Sequence, residues 1–397
     1  MDLTIFPGKL SGCVTAIPSK SQAHRLLICA AFADAPTCLE CPQTNEDIEA
    51  TARCLNALGA DIRRTDSGYY VIPASQFPSS AVMDCGESGS TLRFMLPVVC
   101  ALGIQTTFVL HGRLPHRPLS PLWEELERTG CALSRPTENT IQTSGKLRPG
   151  NFTIAGNVSS QFISGLLFAA ALMDADSRIT VTGKLESKPY VGMTQQALRT
   201  FGVDTDDFCV KGRFPLRSPG TVRVEGDWSN AAFFVVANAL GSSIQINNIC
   251  ADSPQGDKVI ADLVTHLSVQ DLSVADFPDL VPILAVYFGA KEGATLTNIA
   301  RLRLKESDRV ATVIAMLNNL GAAASATQDT LTILPGKYHG CTIDAAGDHR
   351  IAMAAAIAAT VAAEPVNILG AECVNKSYPA FWQVFQELGG QYEQYLR

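Results

Sequence analysis

The chain is predicted to be an α/β protein of two domains, and three observations lead there. A helix-closing pattern with glycine recurs along it. Stretches of helical period alternate with β-rich stretches, which favours layered α/β architecture. Several helical stretches, such as 162–172 and 351–362, are apolar nearly all round, which predicts helices inside and sheets outside.

The recurring pattern first appears as Leu55-Asn56-Ala57-Leu58-Gly59-Ala60. It returns at Leu126–Cys131, Leu198–Val203, Leu317–Ala322 and Phe385–Gly390. Each copy ends a helical pattern with a glycine suited to a left-handed C-cap and then enters a strand-like run. The glycines 59, 130, 202, 321 and 389 are 71, 72, 119 and 68 residues apart. The long interval is nearly two periods, so a degenerate copy is expected at His266-Leu267-Ser268-Val269, with serine in place of glycine. The period exceeds the ~20–50 residues of common repeat arrays and suits a unit of two helices and several strands.

Six such units follow in order. Their helices are expected at 21–33 and 46–58, 90–102 and 119–129, 160–173 and 191–201, 229–240 and 257–267, 279–288 and 307–320, and 348–362 and 379–388. Strands are expected at 106–110, 179–182 and 330–333, among others. Six units divide into two domains of three, with a seam near Val224-Glu225-Gly226-Asp227.

Composition narrows the function. A chain of 397 residues exceeds one core, and 47% hydrophobic with 17% charged residues describes a well-buried globular protein. A net charge of −7 argues against general nucleic-acid binding. The longest apolar run, 351–363, is short of the ~20 residues of a membrane helix. The start, Met1 to Pro7, lacks the basic and apolar regions of a secretory signal. Twelve scattered cysteines fit a reducing cytoplasm, and Cys38-Leu39-Glu40-Cys41 reads as strand rather than as a metal or redox pair. The six histidines show no metal spacing, so no metal is expected.

Cations are concentrated in short motifs, most of them just before apolar helical runs. A helix start has unpaired N–H groups and a positive dipole end, which suits anions. Pro18-Ser19-Lys20-Ser21 with Arg25 adds two cations within one turn, more than helix capping requires. Gly86-Glu87-Ser88-Gly89-Ser90-Thr91, with Arg93, is a flexible turn into a helix but not a Walker loop. Arg113 and Arg117 sit in a proline-stiffened segment suited to an anion clamp or to a solvated loop. Ser159-Ser160-Gln161 offers hydroxyls and an amide, or simple capping. Asp279 either caps the helix after Pro278 or acts as a base. Lys305-Glu306-Ser307-Asp308-Arg309 and Asp348-His349-Arg350 place cations against a helix dipole, which points to a bound anion or a buried ion pair.

Together with Ser187-Lys188-Pro189-Tyr190, Pro278-Asp279 and Lys376, these motifs occur in an order that resembles the 5-enolpyruvylshikimate-3-phosphate (EPSP) synthase family over nearly the whole chain. The resemblance implies a two-domain inside-out α/β barrel, each domain built of three βαβαββ units. One domain would hold 17–226. The other would hold 1–16 and 227–397, with the active-site cleft between them. It implies transfer of the enolpyruvyl group of phosphoenolpyruvate to the 5-hydroxyl of shikimate 3-phosphate, without cofactor, in a cytoplasmic monomer that binds neither nucleic acid nor membrane.

By matched position, Lys20, Gly89, Arg117, Gln161, Arg309, Arg350 and Lys376 would hold phosphoenolpyruvate. Ser21, Arg25, Ser159, Ser160, Gln161, Ser187, Asp279 and Lys305 would hold shikimate 3-phosphate. Asp279 would take the hydroxyl proton and Glu306 would protonate the methylene carbon, with Lys20 and Lys305 also catalytic. Arg93, Tyr190, Arg301 and His349 are further candidates. The two substrates bring roughly five to six negative charges. Lys20, Arg25, Arg117, Lys305, Arg309, Arg350 and Lys376 supply seven positive ones.

The chain departs from the family pattern at Pro18, where glycine is usual, and at Glu87 and Arg301, where asparagine is usual. Its fourth unit is short between Cys250 and Asp279. Two other readings compete. One is the sister reaction on UDP-N-acetylglucosamine, whose lysine–asparagine start and loop cysteine are not seen. The other is a non-catalytic receptor for phosphorylated acids, which would gain nothing from Asp279 and Glu306.

Overall fold

The computed structural model describes residues 1–212, 215–266 and 271–395. The expected degenerate copy at 266–269 falls largely outside the described residues. Two compact units emerge, one of Pro18–Val224 and one of Met1–Ile17 with Glu225–Arg397. The sequence-based boundaries were 16/17 and 226/227.

The unit Pro18–Val224 carries helices α1 (Lys20–Ala31), α2 (Glu46–Ala57), α3 (Gly89–Leu102), α4 (Leu122–Arg128), α5 (Ser160–Ala171) and α6 (Lys188–Thr200). Helices α3 and α5 are buried over almost their whole length and pack on each other, as their all-round apolar sequences require. Each of α1, α3 and α5 starts at a serine N-cap, from Ser19, Ser88 and Ser159. Helix α6 begins three residues before the sequence-based start, because Pro189 is tolerated in a first turn that needs no N–H donor.

The second unit carries α7 (Trp228–Ala239), α8 (Ile260–His266), α9 (Val281–Ala290), α10 (Arg309–Leu320), α11 (His349–Ala359) and α12 (Phe381–Glu387). Here α7, α9 and α11 pack on one another and form the buried centre.

The repeat is visible in the sheets. The strands Ser80–Asp84, Gln105–Val109, Thr140–Gly145 and Cys131–Thr137 lie in that order, the first pair parallel and the rest antiparallel. Asp271–Ser273, Ala294–Thr297, Thr330–Ile333 and Ala324–Ala326 repeat this order. Two further sheets repeat it by borrowing a strand from a distant part of the chain. Thr221–Arg223 pairs with Thr37–Glu40, and Asp2–Phe6 pairs with Val366–Leu369 and Gln391–Tyr395. Ser11–Thr15 pairs in parallel with Ser243–Asn247, which also ties the first residues to the second unit.

Among the described residues each unit has three separate sheets, of four, four and three strands or of four, four and two. They do not close into a barrel, which departs from the barrel that the family resemblance implied. Strands alternate buried and exposed positions, for instance along Asn151–Ala155, because one face packs on the helices. Cys38 is exposed and Cys41 buried, beside a strand of this kind, and both are free thiols. No helix is long and apolar enough to cross a membrane, and no group of three or more histidines, cysteines or carboxylates could hold a metal among the described residues.

Candidate functional site

Within Pro18–Val224, the starts of α1, α3 and α5 and the turn before α6 carry the candidate residues. Arg25 is buried, one turn into α1. Its Nε donates to Thr194 Oγ1 at 2.8 Å and its Nη1 to the Ser21 carbonyl at 2.6 Å. Its Nη2 donates to the Tyr190 carbonyl at 2.9 Å, with Ser164 Oγ at 3.5 Å. The guanidinium also stands 5.0 Å from the centre of the Phe94 ring. All these partners are neutral. Burial therefore pulls Arg25 down to about 10, with Tyr190 and Cys29 opposing.

Lys20 pairs with Asp47 at 2.9 Å, both mostly buried. Arg93 donates to Gln161 Oε1 at 2.8 Å and to the Pro118 carbonyl at 3.1 Å, while Gln161 Nε2 donates to Ser90 Oγ at 2.9 Å. This linkage makes Arg93 the residue that orients Gln161. Gly89 has an identifiable reason to be glycine. A Cβ there would lie 2.7 Å from Arg117 Nη1, so the guanidinium occupies the space that a side chain would fill. Glu87 packs against Gly112, where an added Cβ would overlap its carboxylate. Ser159 caps α5 through the Gln161 N–H at 3.3 Å, and Ser160 is buried in the next position. Ser187 is buried with φ +53°, caps nothing, and presents Lys188, Pro189 and Tyr190 as the first turn of α6.

In the second unit the charges form one cluster. Arg309, the first residue of α10, is buried and donates through every nitrogen. Nε reaches Asp348 at 2.8 Å, Nη1 reaches Asp279 at 2.7 Å and Nη2 reaches Glu306 at 2.7 Å. Arg350 donates to Asp279 at 3.2 Å and to Ser229 Oγ at 3.0 Å, and Lys305 lies 3.4 Å from Asp279. Asp348 caps α11 through the Arg350 N–H at 3.0 Å and accepts from Ser307 Oγ at 3.0 Å. Lys376 donates to the Gly347 carbonyl at 3.2 Å, Arg301 donates to the Ala275 carbonyl at 2.9 Å, and His349 is buried at the start of α11.

Asp279 lies in a single turn before α9 and makes no cap, which removes the capping alternative. Burial disfavours its charge. Arg350, Lys305 and Arg309 outweigh that and hold its carboxyl well below the usual carboxylate range. Burial works against Arg309 as well, but Asp348, Glu306 and Asp279 push it well above its ordinary range. Lys305 is lowered, by burial first and by Arg309 and Arg301 after it, with Asp279 and Glu306 opposing.

The sequence-based tally of seven cations thus omitted their carboxylate partners. Asp47 and Asp348 are the residues that it missed. Asp348 stood inside a quoted motif, and Asp47 inside the acidic first turn of α2, where dipole compensation was explanation enough.

Comparison with known proteins agrees with the motif order. A family model described as EPSP synthase (3-phosphoshikimate 1-carboxyvinyltransferase) matches residues 6–385. The chain is 37% identical over 430 residues to a 3-phosphoshikimate 1-carboxyvinyltransferase of Clostridium beijerinckii, covering 99% of each. It is 38% identical over 418 residues to that of Clostridium acetobutylicum, covering 97% of each. An EPSP synthase structure from Acinetobacter baumannii shares the fold at TM-score 0.80 and 23% identity, with 99% of this chain and 100% of that chain covered. The enolpyruvyl transferase NikO from Streptomyces tendae shares it at TM-score 0.77 and 17% identity, with 99% and 98% covered.

Proposed function

Because the chain belongs to the EPSP synthase family, we propose that it transfers the enolpyruvyl group of phosphoenolpyruvate to the 5-hydroxyl of shikimate 3-phosphate and releases phosphate. The observation that carries this reading is Asp279. It is a carboxylate that caps no helix and stands among Arg309, Arg350 and Lys305 at 2.7, 3.2 and 3.4 Å.

In Pro18–Val224, Arg25, Ser21, Ser159, Ser160 and Ser187 hold shikimate 3-phosphate, while Lys20, Gly89, Arg117 and Gln161 hold phosphoenolpyruvate. In the second unit, Lys305 and Asp279 meet the acceptor, and Arg309, Arg350 and Lys376 meet phosphoenolpyruvate. The finer architecture that we infer is the inside-out one, with helices central and sheets outside.

The charge geometry suggests how the base is switched on. A carboxyl held far below its usual range is a weak base. When the anionic groups of phosphoenolpyruvate take over the N–H donors of Arg350 and Arg309, Asp279 loses two of its three cationic partners and its proton affinity rises. It then accepts the 5-hydroxyl proton as that oxygen bonds to C2 of phosphoenolpyruvate. Glu306, released in the same way when Arg309 turns to the substrate, takes up a proton from solvent and delivers it to C3, giving a tetrahedral intermediate. Loss of a proton from the new methyl group and cleavage of the C–O bond to phosphate complete the transfer. The cations stabilise charge on the departing phosphate.

Phosphate release tests the reading. Wild-type protein is expected to release phosphate with shikimate 3-phosphate and not with UDP-N-acetylglucosamine. Asp279→Ala and Glu306→Ala are expected to lose turnover by about 10²–10⁴-fold while still binding substrate. Activity only with the UDP-sugar, or full activity in both variants, overturns it. Free cysteines, seven of the twelve buried, are in keeping with a cytoplasmic enzyme, and a monomer is expected by light scattering.

A further inference from the structure

His24 is fully buried on α1, between Lys20 and Arg25, and is not among the residues proposed to hold either substrate. Its Nδ1 lies 2.7 Å from Thr51 Oγ1 on α2, and Thr51 Oγ1 lies 2.7 Å from Thr91 Oγ1 on α3. Thr91 Oγ1 donates to Ser88 Oγ at 2.8 Å, and Ser88 caps α3 by accepting the Thr91 N–H at 3.3 Å. Each hydroxyl has one proton, so the direction of the chain propagates. Thr91 gives its proton to Ser88, Thr51 gives its proton to Thr91, and His24 must donate its Nδ1–H to Thr51. Nε2 is then a bare lone pair with no hydrogen-bond partner, in a ring edge-on to Phe94 at 6.4 Å. An apolar side chain would leave no such orphan. The position therefore has a use for the Nδ1–H.

The chain of bonds joins the starts of three helices. Helix α1 begins with Lys20, α2 holds Asp47, the partner of Lys20, in its first turn, and α3 begins with Gly89. Arg25, one residue on, makes none of its hydrogen bonds to that chain: it donates to Thr194, Ser164 and Tyr190 on α5 and α6 and to the Ser21 carbonyl on α1, and it shares the Phe94 ring of α3 with His24.

We propose that His24 is a positioning residue that fixes the start of α3 against the starts of α1 and α2, so that Lys20 and Gly89 are set for phosphoenolpyruvate while Arg25 is set independently for shikimate 3-phosphate. This rests on the function proposed above. The experiment measures KM for each substrate in the full-length chain. Thr51→Val keeps the shape of the side chain and breaks the bonds. His24→Leu removes the donor, and His24→Asn keeps an N–H near the place of Nδ1. Thr51→Val and His24→Leu are expected to raise KM for phosphoenolpyruvate about fivefold or more. KM for shikimate 3-phosphate should stay within about twofold, and His24→Asn should stay close to wild type in both. Equal changes in both constants, or no change in either, overturn the proposal.

A wild-type protein inactive on these substrates would instead sink the functional reading. ¹⁵N spectra of labelled histidine, assigned by His24→Asn, test the hydrogen-bond chain without activity. Nδ1–H at neutral pH is expected for His24, and an Nε2–H tautomer overturns the proposal.

Discussion

In Pro18–Val224, the buried arginines Arg25 and Arg93 donate to hydroxyls, an amide oxygen and backbone carbonyls. In the second unit, Arg309 and Arg350 donate to carboxylates. The consequences run in opposite directions. Neutral partners orient Arg25 and leave its charge uncancelled, so burial lowers it to about 10. Carboxylates cancel the charge of Arg309 and raise it further. A buried guanidinium with neutral partners keeps its charge available to an anion. One enclosed by three carboxylates holds those carboxylates in place until a substrate anion competes for its N–H groups. The first arrangement suits binding and the second suits proton transfer, because the second contains the groups that can exchange protons.

The largest effect expected from this contrast is on stability. Asp348→Ala leaves Arg309 Nε and Ser307 without their carboxylate and uncaps α11. It is expected to cost about 3–5 kcal/mol in urea unfolding of the full chain, since it takes one of three carboxylates from a buried guanidinium, leaves Nε and the Ser307 hydroxyl unsatisfied and removes a cap. Thr194→Val removes a neutral partner from Arg25 and is expected to cost about 1–3 kcal/mol. Equal losses would break the comparison.

The helices were legible because two local signals coincided, an apolar stripe or run and a glycine where a left-handed residue closes it. Gly59 and Gly321 both adopt φ +99°, and observed helix ends lie within a few residues of the expected ones. The cation motifs were legible because Lys and Arg at helix starts oppose the dipole and need another reason. Their partners were not. Thr194 lies 169 positions from Arg25, and Ser229 lies 121 from Arg350. Nothing local in either sequence marks it as a ligand of an arginine. His24, Thr51 and Thr91 look like ordinary helix-interior residues until three helices are packed together. Whether the three sheets of a unit join into a barrel, as the family resemblance implied, was illegible for a related reason. Alternation of helices and strands gives layers, but it does not say whether the edges of three sheets are joined.

A smaller effect sharpens the binding half of the contrast. Gly89→Ala would put a methyl group 2.7 Å from Arg117 Nη1 and displace the guanidinium. Phosphoenolpyruvate KM is expected to rise about tenfold, with little change in KM for shikimate 3-phosphate. An unchanged KM would mean that Arg117 does not meet this substrate.

The smallest effect separates the two units by acid sensitivity. In the second unit, Asp279 and Asp348 have carboxyls lowered in the folded state, despite burial, by arginine and other cations. Their contribution to stability is present above the ordinary carboxylate range and is lost as pH falls below about 4. His24 is also lowered in the folded state, first by burial and then by Lys20 and Arg25. For this group too the unfolded chain binds the extra proton, so stability falls as pH drops, but the loss begins near the ordinary histidine value of about 6.5. The slope attributable to His24 is at most about 1.4 kcal/mol per pH unit. Urea unfolding at pH 7.5 and 5.5 is therefore expected to show wild type losing about 1 kcal/mol more than His24→Asn across that interval. The same pair of measurements on Asp348→Ala should show the wild-type difference, since the carboxylate that it removes is ionised at both values in the wild type. If His24→Asn and wild type lost stability in parallel, the imidazole would not be held neutral in the core, and the direction of the hydrogen-bond chain that starts from it would be lost as well.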